Sequence, residues 1–302
     1  MHSKLLLCLL LGIVLVTRTP AVAHAQERAE HIRYRPSARV RVIPGLVFAR
    51  YGTRTLRLDL YLPAERAGLV PGVVAIRGGG WAVSDRAEFA HVAAALAERG
   101  VAAASVEYRT ADAAPFPAAI QDVKAAVRWI RANAAAYGID PETIGTLGGS
   151  SGALMALLAG VTSGDPTFEG SGGHPDVPSH VQAVVAMAAP TDPRRLDASG
   201  RRTVGRFLRA MPSTYPERWA RAAPITHIDA GDPPVLLLHS QADEAVLPEQ
   251  SIRFARRYRE VGARADLVLL PDAPHAFWNY APWFAQSMDR AAAFFLHVAR
   301  SN

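Results

Sequence analysis

Short apolar runs, each leading into a segment of helical periodicity, constrain this chain more than any other feature. "GVVAI" (72–76), "VQAVVAMAAP" (181–190) and "PPVLLLHS" (233–240) lack the polar alternation of a one-sided strand, as strands buried on both faces do. "VAAASVEYR" (101–109) and "ADLVLLP" (265–271) predict two more strands. Between them, residues 86–99 read as a helix ending at Gly100. "FPAAIQDVKAAVRWIRANAAAYG" places Ile120, Val123, Val127 and Ile130 at helical spacing, with Gly138 as its C-cap. Residues 248–261 and 285–299 are the late helices. "RTLRLDLYLP" alternates Leu56, Leu58, Leu60 and Leu62 with Arg57, Asp59 and Tyr61, which predicts a half-buried strand near a sheet edge. This alternation of strands and helices predicts an α/β fold, a mostly parallel central sheet with helices on both faces. The expected organisation is a single domain over 26–302, with the Arg-, Pro- and Trp-rich stretch 190–230 as a small helical cap.

The first residues read as an address. Lys4, the apolar stretch Leu5–Val16 and Ala23-His24-Ala25 predict a signal peptide over 1–25, cleaved after Ala25, with Ala21-Val22-Ala23 as a second candidate site. The stretch falls short of the roughly 20 apolar residues of a membrane span. The expected location is therefore secreted or periplasmic, with no membrane span after cleavage. Cys8, the single cysteine, lies in that leader, so the mature chain is expected to hold no disulfide, thiolate-bound metal or cysteine nucleophile. The formal charge of +6 falls to +4 once Lys4 and Arg18 are removed. Arg253, Arg256, Arg257 and Arg259 cluster on a predicted amphipathic helix as a solvated face, and no nucleic-acid partner is implied.

The chemistry centres on Gly148-Gly149-Ser150-Ser151-Gly152, between a β-branched run and an apolar helix. Only Ser150 sits at the centre of a G-x-S-x-G pattern, which holds a serine hydroxyl on a cramped strand-to-helix turn. A helix N-terminus there favours developing negative charge. A hydroxyl needs a base. Of the histidines after the leader, His275 in "LLPDAPHAFWN" follows a late strand in a loop, whereas His31, His91, His174, His180, His227, His239 and His297 read as surface or packed residues. Asp243, just past "PVLLLHS", is the expected orienting carboxylate. Among its rivals, Asp272 stands too close in sequence to His275, Asp232 precedes its strand, and Glu244 is the neighbour. The "RGGGW" loop supplies an oxyanion hole from the backbone of Gly79 and Gly80, joined by the N–H of Ser151. A phosphate cradle is the weaker reading, because no G-x-G-x-x-G or following Lys-Ser/Thr appears.

"IRGGGWAVSDR", the block from "VEYRTADAAPFP" to "GTLGGSSGALMALLA", "PPVLLLHSQADEAVLPEQS" and "PDAPHAF" together resemble the α/β-hydrolase serine esterases with an H-G-G-G-W oxyanion loop. Within these the chain is similar to the bacterial feruloyl- and acetyl-esterase-like group, near the hormone-sensitive-lipase-like enzymes. The resemblance runs from about residue 40 to the C-terminus. It implies Ser150 as nucleophile, His275 as general base, Asp243 as its orienter, and no metal or organic cofactor. The implied substrate is a small-molecule or carbohydrate-linked ester. Arg77 departs from the family histidine and Ser240 from its common glycine. Arg77 is expected to hold the Gly78–Gly80 loop through its guanidinium donors, and recognition of anionic substrates is the alternative. Arg77 and Trp81 are the candidate substrate-binding residues, and Phe277, Trp278, Tyr280, Trp283 and Phe284 are further candidate pocket aromatics. A prolyl-oligopeptidase-like peptidase and a non-catalytic binding protein on the same fold are the rival readings.

Overall fold

The computed structural model describes residues 30–35 and 37–301. The expected leader, its cleavage site and Cys8 lie outside the described residues. Eight strands form one sheet among the described residues: β1 (Val40–Tyr51), β2 (Arg54–Pro63), β3 (Val70–Ile76), β4 (Ala102–Val106), β5 (Ile139–Gly149), β6 (Ala183–Met187), β7 (Val235–Ser240) and β8 (Ala265–Leu270). Their order is β1-β2-β4-β3-β5-β6-β7-β8. The first two pairings are antiparallel and the rest are parallel.

The helices are α1 (Ala90–Ala97), α2 (Ala118–Tyr137), α3 (Ser151–Val161), α4 (Pro166–Glu169), α5 (Ala198–Leu208), α6 (Pro216–Arg221), α7 (Glu249–Glu260) and α8 (Trp283–Ser301). Alternate residues of the parallel strands feed opposite cores. Val74 and Ile76 pack with Ile120 and Val127 of α2, Leu158 of α3 and Phe254 of α7. Val73 and Ala75 pack with Leu96 of α1 and with Met288 and Phe295 of α8. Both faces of the sheet are thus covered, which is why these runs carry no polar alternation. Gly138 ends α2 in the left-handed conformation, as its position after the last apolar residue predicts. No helix of the described residues is long and apolar enough to cross a membrane.

One expectation fails in part at the sheet margin. β2 does lie near the edge, next to the edge strand β1, but it is not half-buried: Asp59 and Tyr61 are buried along with the leucines. Asp59 tolerates burial because its Oδ1 accepts hydrogen bonds from Arg86 Nε (2.7 Å) and the Gly45 N–H (2.7 Å).

Strand direction puts every chemically marked loop at one end of the sheet. β3 runs out into Arg77–Trp81, β5 into Ser150, β7 into Asp243 and β8 into His275. This carboxyl edge is where open α/β sheets bind ligands. Helix α5, within residues 190–230, lies against this edge. Phe207 of α5 stacks on Trp81, with ring centroids 4.2 Å apart and an interplanar angle of 2°.

Candidate active site

The turn at Ser150 is forced by its glycines. A Cβ at Gly148 would overlap the carbonyl of Gly152, and one at Gly152 would overlap the carbonyl oxygen of Ile76. Ser150 itself sits at φ 55° and ψ −121°, a sparsely populated region whose strain costs roughly 1–3 kcal/mol. Its N–H donates to Met187 O on β6 (2.8 Å), and its carbonyl accepts from Ala153 N (2.9 Å), so both ends of the turn are pinned.

The structure brings Ser150, His275 and Asp243 together. Nε2 of His275 lies 2.9 Å from Ser150 Oγ, and Nδ1 lies 2.7 Å from Asp243 Oδ2. The Asp243 side chain is fully buried, whereas that of His275 is 27% exposed, so the ring faces the cavity and the acid does not. Burial alone would raise the Asp243 carboxyl. Hydrogen bonds from His239 and His275, the charge of His275 and the Val246 N–H outweigh it, holding the group well below the usual carboxylate range. Oδ1 also accepts the N–H groups of Ala245 (3.0 Å) and Val246 (2.9 Å).

Two neighbours of this trio were not legible as site residues. The ring of His239 donates from Nε2 to Val246 O (2.8 Å), and the same nitrogen lies 3.3 Å from Asp243 Oδ2. A carbonyl only accepts, so Nε2 carries the proton and Nδ1 takes the Ser251 hydroxyl at 2.7 Å. Ser240, the departure from glycine, donates its hydroxyl to Ala273 O (2.5 Å) and accepts from Ala242 N (2.9 Å). It ties the loop carrying Asp243 to the loop carrying His275.

The glycine loop differs from expectation in its fastening. The Gly80 N–H, read as an oxyanion donor, donates to Ser151 Oγ at 3.0 Å. Ser151 therefore contributes its hydroxyl as well as its backbone. The N–H groups of Gly78, Gly79 and Ser151 have no acceptor among the described residues; those of Gly79 and Ser151 are the expected oxyanion donors left open. The loop is held by Tyr108, whose hydroxyl lies 2.9 Å from Val83 O and 3.2 Å from Arg77 O. The Arg77 guanidinium, expected to do this, makes no hydrogen bond to any described residue.

Two cavities meet at Ser150 and His275. One, of about 300 Å³, is walled by Trp81, Leu196, Val204 and Val246. The other, of about 540 Å³, is walled by Arg77, Glu88, His91, Trp278 and the segment His31–Tyr34. That segment reaches the site because Ile32 N donates to Asn279 O (2.7 Å) and Ala281 N to Glu30 O (2.9 Å). Of the candidate pocket aromatics, Trp81 and Trp278 line these cavities. Phe277 and Trp283 belong to the core, and Tyr280 and Phe284 pack against it. Among the described residues no group of three or more His, Cys, Asp or Glu side chains is placed to hold a metal ion.

This sheet order, with a strained serine at the end of β5 and a histidine and buried aspartate after β8 and β7, defines an α/β-hydrolase. The chain belongs to the BD-FAE family, which matches residues 58–258. It is 31% identical over 239 residues to the probable carboxylic ester hydrolase LipM of Mycobacterium tuberculosis, an alignment covering 76% of this chain and 55% of LipM. The chain spans a little over half the length of LipM and of the mycobacterial esterases LipQ and LipC. A truncated carbohydrate esterase from gut microbiota superposes with a TM-score of 0.78 at 31% identity, covering 86% of this chain and 96% of that one. Apo esterase 2 of Thermogutta terrifontis superposes with a TM-score of 0.73 at 27% identity, covering 88% and 98%.

Proposed function

We propose that the protein is a secreted or periplasmic serine carboxylesterase that works through an acyl-enzyme on Ser150. The carrying observation is the chain of contacts from Ser150 Oγ through His275 to Asp243, at 2.9 and 2.7 Å. Ser150 Oγ attacks the ester carbonyl while His275 Nε2 takes its proton. Asp243 holds the ring so that Nε2 faces the serine and steadies the imidazolium that forms. The developing oxyanion is met by the N–H of Gly79, in the loop after β3, and by that of Ser151, the first residue of α3. His275 then returns the proton to the leaving alcohol oxygen. Water, deprotonated by the same nitrogen, releases the acid.

The apolar 300 Å³ cavity suits a short acyl group and the larger one the alcohol. The esterase names of the relatives support the reaction class, and the gut carbohydrate esterase supports a sugar-linked alcohol. The intact Ser150–His275–Asp243 contacts speak against a purely binding role. The location rests on the leader alone; N-terminal sequencing of protein from periplasm and medium checks it. Hydrolysis of 4-nitrophenyl acetate by the wild type and by Ser150→Ala tests the chemistry. The proposal expects turnover in the first and about 10⁴-fold or greater loss in the second. Comparable activity in both overturns it.

A further inference from the structure

Arg77 is four-fifths buried, with its side chain 18% exposed, yet its guanidinium donates no hydrogen bond to any described residue. Nη1 is buried and unpartnered. Nη2 lies 3.6 Å from Glu88 Oε2, beyond hydrogen-bond reach, and the Glu88 side chain is 63% exposed. An ion pair that long and that wet contributes little. Buried polar groups are almost always satisfied, so guanidinium N–H groups that no side chain or carbonyl of the described residues takes are available to an acceptor on a ligand. The loop does not need this guanidinium, because Tyr108 and Ser151 already fasten it. The side chain lies along the loop, with Nη1 3.2 Å from where a Cβ on Gly79 would stand, and it lines the same 540 Å³ cavity as Ser150 and His275. Arg33, from the N-terminal segment, lines that cavity too and has no partner among the described residues.

Resting on the serine esterase reading, we infer that the larger cavity selects an ester whose alcohol carries a carboxylate, with Arg77 as the specificity-determining residue and Arg33 as its auxiliary. A planar carboxylate matches the guanidinium fork through two parallel N–H···O bonds. The chemistry favours a monoanion: Arg77 is the one largely buried guanidinium on the cavity wall, and Glu88 on the same wall repels a more highly charged group. Acidic sugars and other hydroxy acids acylated on their hydroxyl belong to this class. The opposite cavity, walled by Trp81, Leu196, Val204 and Val246, offers no cation for such a group.

The test compares 4-acetoxybenzoate with its near-isosteric neutral partner, 4-acetoxybenzamide. Each rate is normalised to the hydroxide-promoted rate of the same ester, and enzyme concentration is set by fluorophosphonate titration, so that misfolded protein is not counted. The wild type is expected to favour the benzoate in kcat/KM by about tenfold or more, the worth of one charge-assisted hydrogen bond. Arg77→Gln is expected to bring the ratio close to unity, Arg77→Lys to restore part of it, and Arg33→Gln to lower it about two- to threefold. A wild-type ratio at or below unity overturns the inference. So does an Arg77→Gln variant that slows both esters equally, which would make Arg77 a general support of the oxyanion. In either case benzamide turnover and fluorophosphonate labelling leave the esterase reading standing. If the wild type neither hydrolyses the benzamide nor labels, both readings fall.

Discussion

Asp243→Asn is the perturbation whose outcome the site geometry dictates most closely. Oδ1 of Asp243 accepts the N–H groups of Ala245 and Val246 at 3.0 and 2.9 Å, so an asparagine must keep its carbonyl oxygen on that side. Its amide nitrogen then replaces Oδ2, 2.7 Å from Nδ1 of His275, and donates to it, at the loss of only the longer 3.3 Å contact with His239 Nε2, which keeps its bond to Val246 O. That holds the ring with its proton on Nε2, the atom 2.9 Å from Ser150 Oγ, where it cannot receive the serine proton. Flipping the amide offers no escape. It would set an NH₂ group against two buried N–H donors, at about 1–3 kcal/mol for each donor left unpaired. A wrong tautomer in this type of triad lowers turnover about 10⁴-fold, or roughly 5.4 kcal/mol of barrier. Asp243→Ala imposes no tautomer and is expected to lose no more than the asparagine. The assay is kcat/KM on 4-nitrophenyl acetate, with circular dichroism and melting curves verifying that both variants fold. An asparagine variant within about tenfold of wild type, or clearly more active than the alanine variant, refutes the tautomer reasoning.

Further outcomes follow from neighbouring contacts. Ser240→Ala strands Ala273 O and Ala242 N, and about 2 kcal/mol of stability should be lost in chemical denaturation, with kcat/KM down about tenfold; a stability change under about 0.5 kcal/mol contradicts the proposed tie between the acid and base loops. Gly148→Ala drives a Cβ into the Gly152 carbonyl, so the elbow must open and kcat should fall about 10²-fold or more, whereas wild-type turnover would mean the turn is not cramped. Asp232 is pushed up to about 6, chiefly by burial, with the Asp229 charge assisting and the Asp229 N–H opposing. A raised folded pKa means that stability is greatest below the unfolded value of about 3.9 and is lost as pH rises through about 6. Asp232→Asn should therefore raise the melting temperature at pH 7.5 and leave it nearly unchanged at pH 4, and equal shifts at both pH values would contradict the assignment.

The parallel strands were legible because burial on both faces leaves an unbroken apolar run, as at Val73–Ile76 and Val235–Leu238. β1 was not, because "VRVIPGLVFARY" contains Pro44 and Gly45 and lies at the edge, where exposure blurs its pattern. The burial of β2 was underread because the charge on Asp59 reads as exposure until Arg86, 27 positions away, is brought beside it. At the site, the order Ser150, Asp243, His275 could be read from strand ends and loop positions. The contacts of His239, Ser240 and the Ser151 hydroxyl could not, because they depend on how separate loops meet. Arg77 was misread for the same reason. Its expected work on the glycine loop is done by Tyr108, which sits 31 positions downstream and carries no local mark of that role. Nothing in the pattern of residues 30–35 signalled that this segment would wall a cavity shared with Ser150.

The most direct measurement of the central claim is peptide-level mass spectrometry of the folded protein after reaction with a fluorophosphonate. A single adduct is predicted, on Ser150, whose hydroxyl alone among the two elbow serines faces His275 Nε2 at 2.9 Å, and it should vanish in Ser150→Ala while persisting in Ser151→Ala. An adduct on Ser151, or none on the folded wild-type protein, would contradict the assignment of Ser150 as the nucleophile.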